Sequence, residues 1–167
     1  MIKREKSIEL LNKAVAGEMT AIHQYMYFHF RLDDMGYDFL ANQFKRTAIS
    51  EMMHVEKLAE RILFLKGEVE MGISGQVEKI HEVKQMLEKA ESMEAETVKN
   101  YNIWARECAE ALDSATKSVF EGLILEEENH QANFDTEMDN LNKFGDNYLA
   151  LQSIERSKSV AVGTKTE

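Results

Sequence analysis

Three of the five histidines in this chain follow a glutamate by three residues: Glu51-Met52-Met53-His54, Glu78-Lys79-Ile80-His81 and Glu127-Glu128-Asn129-His130. Residues three apart share a helix face, so each pair offers a carboxylate and an imidazole to one cation. Alone the motif says little. With 23 glutamates in 167 residues, about one histidine in seven meets it by composition. The wider spacing discriminates. Glu18 precedes Glu51 by the same interval that separates Glu94 from Glu127. The set Glu18, Glu51, His54 therefore recurs at an offset of 76 as Glu94, Glu127, His130. Lys45 stands at that interval before Glu78, so the third pair lacks a companion glutamate. Tyr25 and Tyr101 also obey the offset, each two helical turns after its glutamate and so on its inward face.

Helices must carry this set. Ile8, Leu11, Val15, Glu18, Ile22, Tyr25 and His29 recur at threes and fours along one face. Asp33-Asp34-Met35-Gly36 reads as a turn, with Asp38 as the cap of a second helix from about Phe39 to Lys66 that stops at Gly67. Residues 67–81 hold three of the eight glycines and read as a long connection. A third helix is expected from about His81 to Leu112, with Asp113-Ser114 as turn and cap. A fourth runs from about Ala115 to Phe144, stopping at Gly145. Asp146 then caps a short fifth helix that ends near Arg156. Residues 1–157 form one expected domain, and 158–167 a small, polar, flexible tail.

Turn positions and ligand spacing agree independently. In an antiparallel hairpin, residues at equal height are equidistant from the turn. The midpoint of Glu18 and Glu51 falls between 34 and 35, and that of Glu18 and His54 at Gly36. The corresponding midpoints in the second half fall between 110 and 111 and at Leu112. At about 1.5 Å per residue both half-sites lie roughly 25 Å from their turns, so two hairpins bring all six side chains to one height. Two short-turn hairpins joined by one long crossover give an all-α, ferritin-like four-helix bundle with a short C-terminal fifth helix. One glutamate from each of two helices, with Glu-x-x-His from each of the other two, is the ligand set of di-iron carboxylate bundles. Four buried carboxylates are costly unless compensated, and two divalent cations neutralise them. Mixed oxygen and nitrogen donors suit iron, manganese or zinc.

The chain resembles the bacterioferritins over nearly its full length. Gly17-Glu18-Met19-Thr20-Ala21-Ile22-His23-Gln24-Tyr25 is similar to the family's first-helix motif, and Ser50-Glu51-Met52-Met53-His54-Val55-Glu56 to its second. Ile62-Leu63-Phe64-Leu65-Lys66-Gly67 and Asn147-Tyr148-Leu149 are similar to further family stretches. The resemblance implies a 24-subunit shell built from dimers that oxidises ferrous iron with dioxygen or hydrogen peroxide and stores a ferric mineral. It implies Glu18 and His54 on one iron, Glu94 and His130 on the other, Glu51 and Glu127 bridging, and Tyr25 beside them as an electron donor. It also implies haem b between two subunits, with Met52 from each as axial ligand, and a ferredoxin-type reductant for iron release. Met52 is turned about 130° from the inward direction, which agrees with a site outside the bundle. Met53 projects to the other flank. Arg46 and Ser50 stand where some family members carry a histidine and an aspartate for an inner iron site, so the resemblance does not carry that site over.

Two other di-metal readings exist. A rubrerythrin-like peroxidase or oxidase with a rubredoxin domain needs four cysteines, and only Cys108 is present. Mini-ferritin-type shells place their metal between subunits, whereas one chain here supplies all six ligands. Of the remaining histidines, His23 reads as a partly exposed interface residue, His29 as a hydrogen-bonded core residue and His81 as part of the crossover. Cys108 and Trp104 read as packing. A formal net charge of −10 disfavours nucleic acid as a partner and favours cations. The apolar runs are far short of a bilayer span, so no membrane is expected. Met1–Lys6 is charged with no signal-type apolar segment, so a cytoplasmic location is expected. Proline is absent, which favours long uninterrupted helices.

Overall fold

A computed structural model describes residues 4–162. Five helices follow in order: α1 (Arg4–Asp34), α2 (Asp38–Phe64), α3 (Val83–Glu110), α4 (Ser114–Phe144) and α5 (Asp146–Val162). No strand occurs among the described residues. α1 pairs with α2 and α3 with α4, while α1 meets α3 and α2 meets α4 across the bundle. This is the expected four-helix bundle with a long crossover and a C-terminal fifth helix. None of the described helices is long and apolar enough to cross a membrane.

The bundle interior is layered. One apolar core gathers Leu11, Val15, Leu58, Ile62, Tyr101, Cys108 and Phe120. A second gathers Tyr25, Phe28, Leu32, Leu40, Phe44, Leu87 and Phe134. On every long helix the two groups are separated in sequence by the glutamates of the repeated set: Glu18, Glu51, Glu94 and Glu127 are all buried. Apolar packing on either side therefore excludes water from a thin polar layer and holds it at fixed height. Cys108 and Trp104 pack in or against the first core, as expected.

The crossover, residues 65–82, makes no regular structure because polar side chains of α1 satisfy its backbone instead. Asn12 Nδ2 donates to the Glu68 carbonyl (2.9 Å), and the Glu70 N–H donates back to Asn12 Oδ1 (2.9 Å). Thr20 Oγ1 accepts from the Ser74 N–H (2.9 Å). Gln24 and the Glu78 backbone exchange two bonds at 2.9 and 2.7 Å. Glu78 and His81, the third Glu-x-x-His match, lie in this exposed strap and not on a helix.

Helix ends follow the repeat as well. Three helices close with the same pair of bonds around a left-handed residue. After α1 it is Gly36 (φ 83°), after α2 Lys66 (φ 64°) and after α3 Leu112 (φ 60°). Gly36 and Leu112 are themselves related by the offset of 76. The stop expected at Gly67 thus shifts by one residue. Gly67 is needed for a different reason, since a Cβ there would lie 2.7 Å from Ile8 Cγ2. A left-handed non-glycine residue costs roughly 1–2 kcal/mol. Leu112 is 73% exposed, so its side chain gains little in return. After the extra freedom glycine has when unfolded, Leu112→Gly is expected to stabilise by about 0.5 kcal/mol and raise the Tm by roughly 1–2 °C in thermal unfolding.

Two further boundaries differ from expectation. Asp38 is the first helical residue of α2 rather than its cap; Tyr37 holds the cap position without a side-chain bond, and the Asp38 carboxylate receives Arg156 Nη1 at 2.9 Å. α5 also runs past Arg156 to Val162. Its Arg156–Asp38 ion pair, the Gln152 Oε1 bond from the Leu40 N–H (3.3 Å) and the Tyr148 hydroxyl on Glu137 tie it to α2 and α4. Residues 158–162 of the expected tail are therefore helical, and 163–167 lie outside the described residues.

Candidate metal centre

The six repeated ligand residues meet in the polar layer as two overlapping groups. Glu18, Glu51, His54 and Glu127 present donor atoms that all lie within 4.8 Å of one another, and so do Glu51, Glu94, Glu127 and His130. Glu51 and Glu127 are common to both. Their two oxygens divide between the halves. His54 Nδ1 lies 2.7 Å from Glu51 Oε2 and 2.9 Å from Glu127 Oε1. His130 Nδ1 lies 3.0 Å from Glu51 Oε1 and 3.3 Å from Glu127 Oε2. Glu18 Oε1 stands 3.5 Å from the first imidazole nitrogen and Glu94 Oε2 3.9 Å from the second. The two imidazoles stack with centroids 5.6 Å apart.

Both oxygens of Glu51, both of Glu127, and Nδ1 of each histidine are buried without a well-formed hydrogen bond. Six such atoms converging on one volume are costly unless a cation satisfies them. Carboxylate oxygens with one imidazole per half match a pair of divalent first-row cations.

The flanking contacts orient this set. The Tyr25 hydroxyl donates to Glu94, and the Tyr101 hydroxyl donates to Glu18, so each tyrosine crosses to the opposite hairpin. His54 Nε2 meets Glu126 Oε2 at 3.0 Å, and Lys57 Nζ holds Glu126 Oε1 at 2.5 Å. His130 Nε2 meets Ser50 Oγ at 3.1 Å. Each histidine is thus turned with Nδ1 inward. The roles of Glu126, Ser50 and Lys57 were not apparent from motif spacing, although Ser50 and Glu126 also differ by 76. A cavity of about 370 Å³ adjoins His130, lined among others by Arg46, Thr47, Asn133 and Glu137.

Electrostatics favour charge replacement. Burial, with the Glu127 and Glu51 charges, pushes the Glu18 and Glu94 carboxyls well above the usual carboxylate range. Burial opposes charge on the histidines, but neighbouring carboxylates outweigh it: His54 is raised by Glu127, Glu18 and Glu51, and His130 to about 9 by Glu127 and Glu51. Without metal the two histidines therefore hold protons near neutral pH, and the Glu18 and Glu94 carboxyls are biased toward their protonated forms, so bound cations take the place of protons. A raised folded pKa gives stability that is present below the unfolded value, 6.5 for histidine, and lost as pH rises through the folded one, about 9 for His130. Metal ions replace the protons and remove that loss. The Tm gap between zinc-loaded and metal-free protein is therefore expected to widen from pH 6.5 to pH 9, read by calorimetry at both pH values.

Outside this centre, Met52 is 53% exposed on the outer face of α2, with Ile49 and Met53 exposed beside it. His23 is exposed on α1. His29 donates from Nδ1 to the Ala41 carbonyl (2.8 Å), so it is hydrogen-bonded as expected, but it is half-buried rather than part of the core.

Comparison with known proteins agrees with this geometry. A ferritin-like domain model matches residues 8–144, which hold the whole ligand set and all but the first turn of the four long helices. The bacterioferritin of Desulfovibrio desulfuricans is 40% identical over 148 residues, covering 89% of this chain and 83% of that one. Its crystal structure, described for its diiron site in different catalytic states, superposes with a TM-score of 0.88 at 39% identity, over 90% of this chain and 88% of that one. The Rhodobacter capsulatus bacterioferritin, described with a metal-free dinuclear site and a haem iron in a special position, gives a TM-score of 0.86 at 31% identity over 91% and 96%. From matched length, fold and the repeated carboxylate–histidine layer, the chain belongs to the bacterioferritin family.

Proposed function

We propose that this protein is an iron-storage ferroxidase whose reaction runs at the buried six-residue centre. The observation that carries the reading is the division of Glu51 and Glu127 oxygens between two otherwise equivalent half-sites. Glu18 and His54 would hold one ferrous ion and Glu94 and His130 the other, with Glu51 and Glu127 offering one oxygen to each. When bound, the iron pair supplies one electron per ion to dioxygen or hydrogen peroxide. The chain's own part is to bind, orient and dehydrate. The apolar cores above and below exclude water, Tyr25 and Tyr101 fix the terminal carboxylates, and Glu126 and Ser50 fix the imidazoles. Protons leave the ligand set as the ions arrive, which limits the charge the site accumulates. Tyr25 is proposed as an electron donor to the centre, a role supported by its burial and by its hydroxyl on Glu94.

The ferric product is stored in the cavity of a homo-oligomeric cytoplasmic shell of 24 chains built from dimers, and a ferredoxin-type reductant returns it as ferrous ion. Aerobic addition of ferrous ion to the purified protein tests this. Ferric iron is expected to co-elute with a particle 24 times the 19.2 kDa mass of the chain. Iron-free protein eluting as a dimer would refute storage.

Haem b is proposed to sit between two subunits of that shell, held by Met52 from each. What supports this is the outward, half-exposed thioether on an apolar strip of α2, where a second copy of the chain can reach it. Protein reconstituted with haem b is expected to show Soret absorbance on the sized particle. Met52→Leu should abolish it and Met53→Leu should retain it.

A further inference from the structure

The two halves of the centre repeat residue for residue at an offset of 76: Glu18 with Glu94, Tyr25 with Tyr101, Glu51 with Glu127, His54 with His130. The repeat breaks directly behind the imidazoles. Ser50 and Glu126 are partners under the same offset, and each touches the histidine of the other hairpin. His54 therefore rests on a carboxylate at 3.0 Å and His130 on a hydroxyl at 3.1 Å. Lys57, which anchors Glu126 at 2.5 Å, has Asn133 as its offset partner. Solvent access differs in the same sense. The His54 side chain is fully buried, whereas that of His130 is 12% exposed beside the 370 Å³ cavity.

We infer that Glu126 and Ser50 are positioning residues that make the two metal positions unequal, so that a divalent cation fills the Glu18–His54 half first and leaves the Glu94–His130 half as the weaker, exchangeable position. The inference rests on the cluster being a divalent-metal centre. The physical ground is tautomer selection. A carboxylate only accepts, so Glu126 requires the hydrogen on Nε2 of neutral His54 and leaves the Nδ1 lone pair for the cation. A hydroxyl both donates and accepts, so Ser50 permits the tautomer of His130 with hydrogen on Nδ1, which cannot ligate. A carboxylate behind a ligating imidazole also strengthens it as a donor, and losing such a partner costs about 10–100-fold in metal affinity. Lys57 moderates the charge of Glu126 but fixes its direction. Because the ligands themselves are matched in type, this outer pair is what separates the halves.

Anaerobic titration of the metal-stripped assembled protein with cobalt(II), followed by visible absorbance and calorimetry, tests the inference. Two ions per chain are expected, in steps separated by about 10–100-fold. Glu126→Gln, which keeps the reach but can donate as well as accept, should weaken the first step about tenfold and leave the second in place. Ser50→Asp should tighten the second step alone and decides the matter even if Glu126→Gln misfolds. Two equal steps in the parent protein, or variants that shift both steps together or neither, would overturn it. Absence of any cobalt binding would instead refute the metal centre itself.

Discussion

Replacing both shared carboxylates, Glu51→Ala with Glu127→Ala, is expected to lower the rate of ferrous-ion oxidation by the assembled protein at least about a hundredfold, read by stopped-flow absorbance of ferric product. Each of the two side chains presents one oxygen to each half of the centre. Their removal leaves each position with one carboxylate and one imidazole and takes away what holds the two positions together. Either single substitution should cost nearly as much as the pair, because the groups act as a unit. The loss should not come from unfolding. The cores on either side share no residue with the ligand set, and the variant removes two buried carboxylates whose burial is costly without metal. Helical circular dichroism and particle size should therefore match the parent protein.

The largest expected effect on stability belongs to Asp113→Ala. Asp113 caps α4, accepting from the Thr116 N–H (3.1 Å) and hydroxyl (2.6 Å), and takes Arg61 Nη2 at 2.7 Å. Arg61 Nε in turn donates to Thr116 Oγ1 at 2.8 Å, so α2 is fastened to the turn between α3 and α4. The Asp113 side chain is only 4% exposed and that of Arg61 15%. Truncation removes a cap and leaves a largely buried guanidinium without its anion, which costs about 3 kcal/mol. The Tm should fall by roughly 6–12 °C. Burial pushes the Asp113 carboxyl up, but Thr116 and Arg61 outweigh it and hold its pKa below the usual value. A depressed folded pKa contributes stability above the unfolded value of 3.8 that is lost as pH falls through the folded one. The Tm difference between variant and parent should therefore shrink below about pH 3.8.

Much of the fold was legible because the same number, 76, relates ligands, tyrosines and turns. Midpoints placed both hairpin turns, and Asp113 was recognisable as a cap from its type and position. Other features carried no such mark. Lys66 and Leu112 adopt left-handed conformations that composition associates with glycine, because bonds back into α2 and α3 impose them. The length of α5 was hidden because the residues after Arg156, among them Ser157, Lys158 and Ser159, read as too small and polar to continue a helix, while the contacts that hold the helix, through Tyr148, Gln152 and Arg156, reach far back along the chain to α2 or bridge to α4. The path of the crossover depends on Asn12, Thr20 and Gln24, which in sequence are ordinary polar positions of an amphipathic helix. Behind the histidines, Glu126 belongs to no ligand motif in the sequence, and only the fold brings it to His54.

Anomalous diffraction at the iron edge, from crystals of the assembled protein exposed anaerobically to ferrous ion, tests the central claim most directly. The predicted result is two peaks per chain, each between one histidine Nδ1 and one oxygen of both Glu51 and Glu127. A chain that takes up no iron in this layer, or binds it only on the surface, would contradict the account.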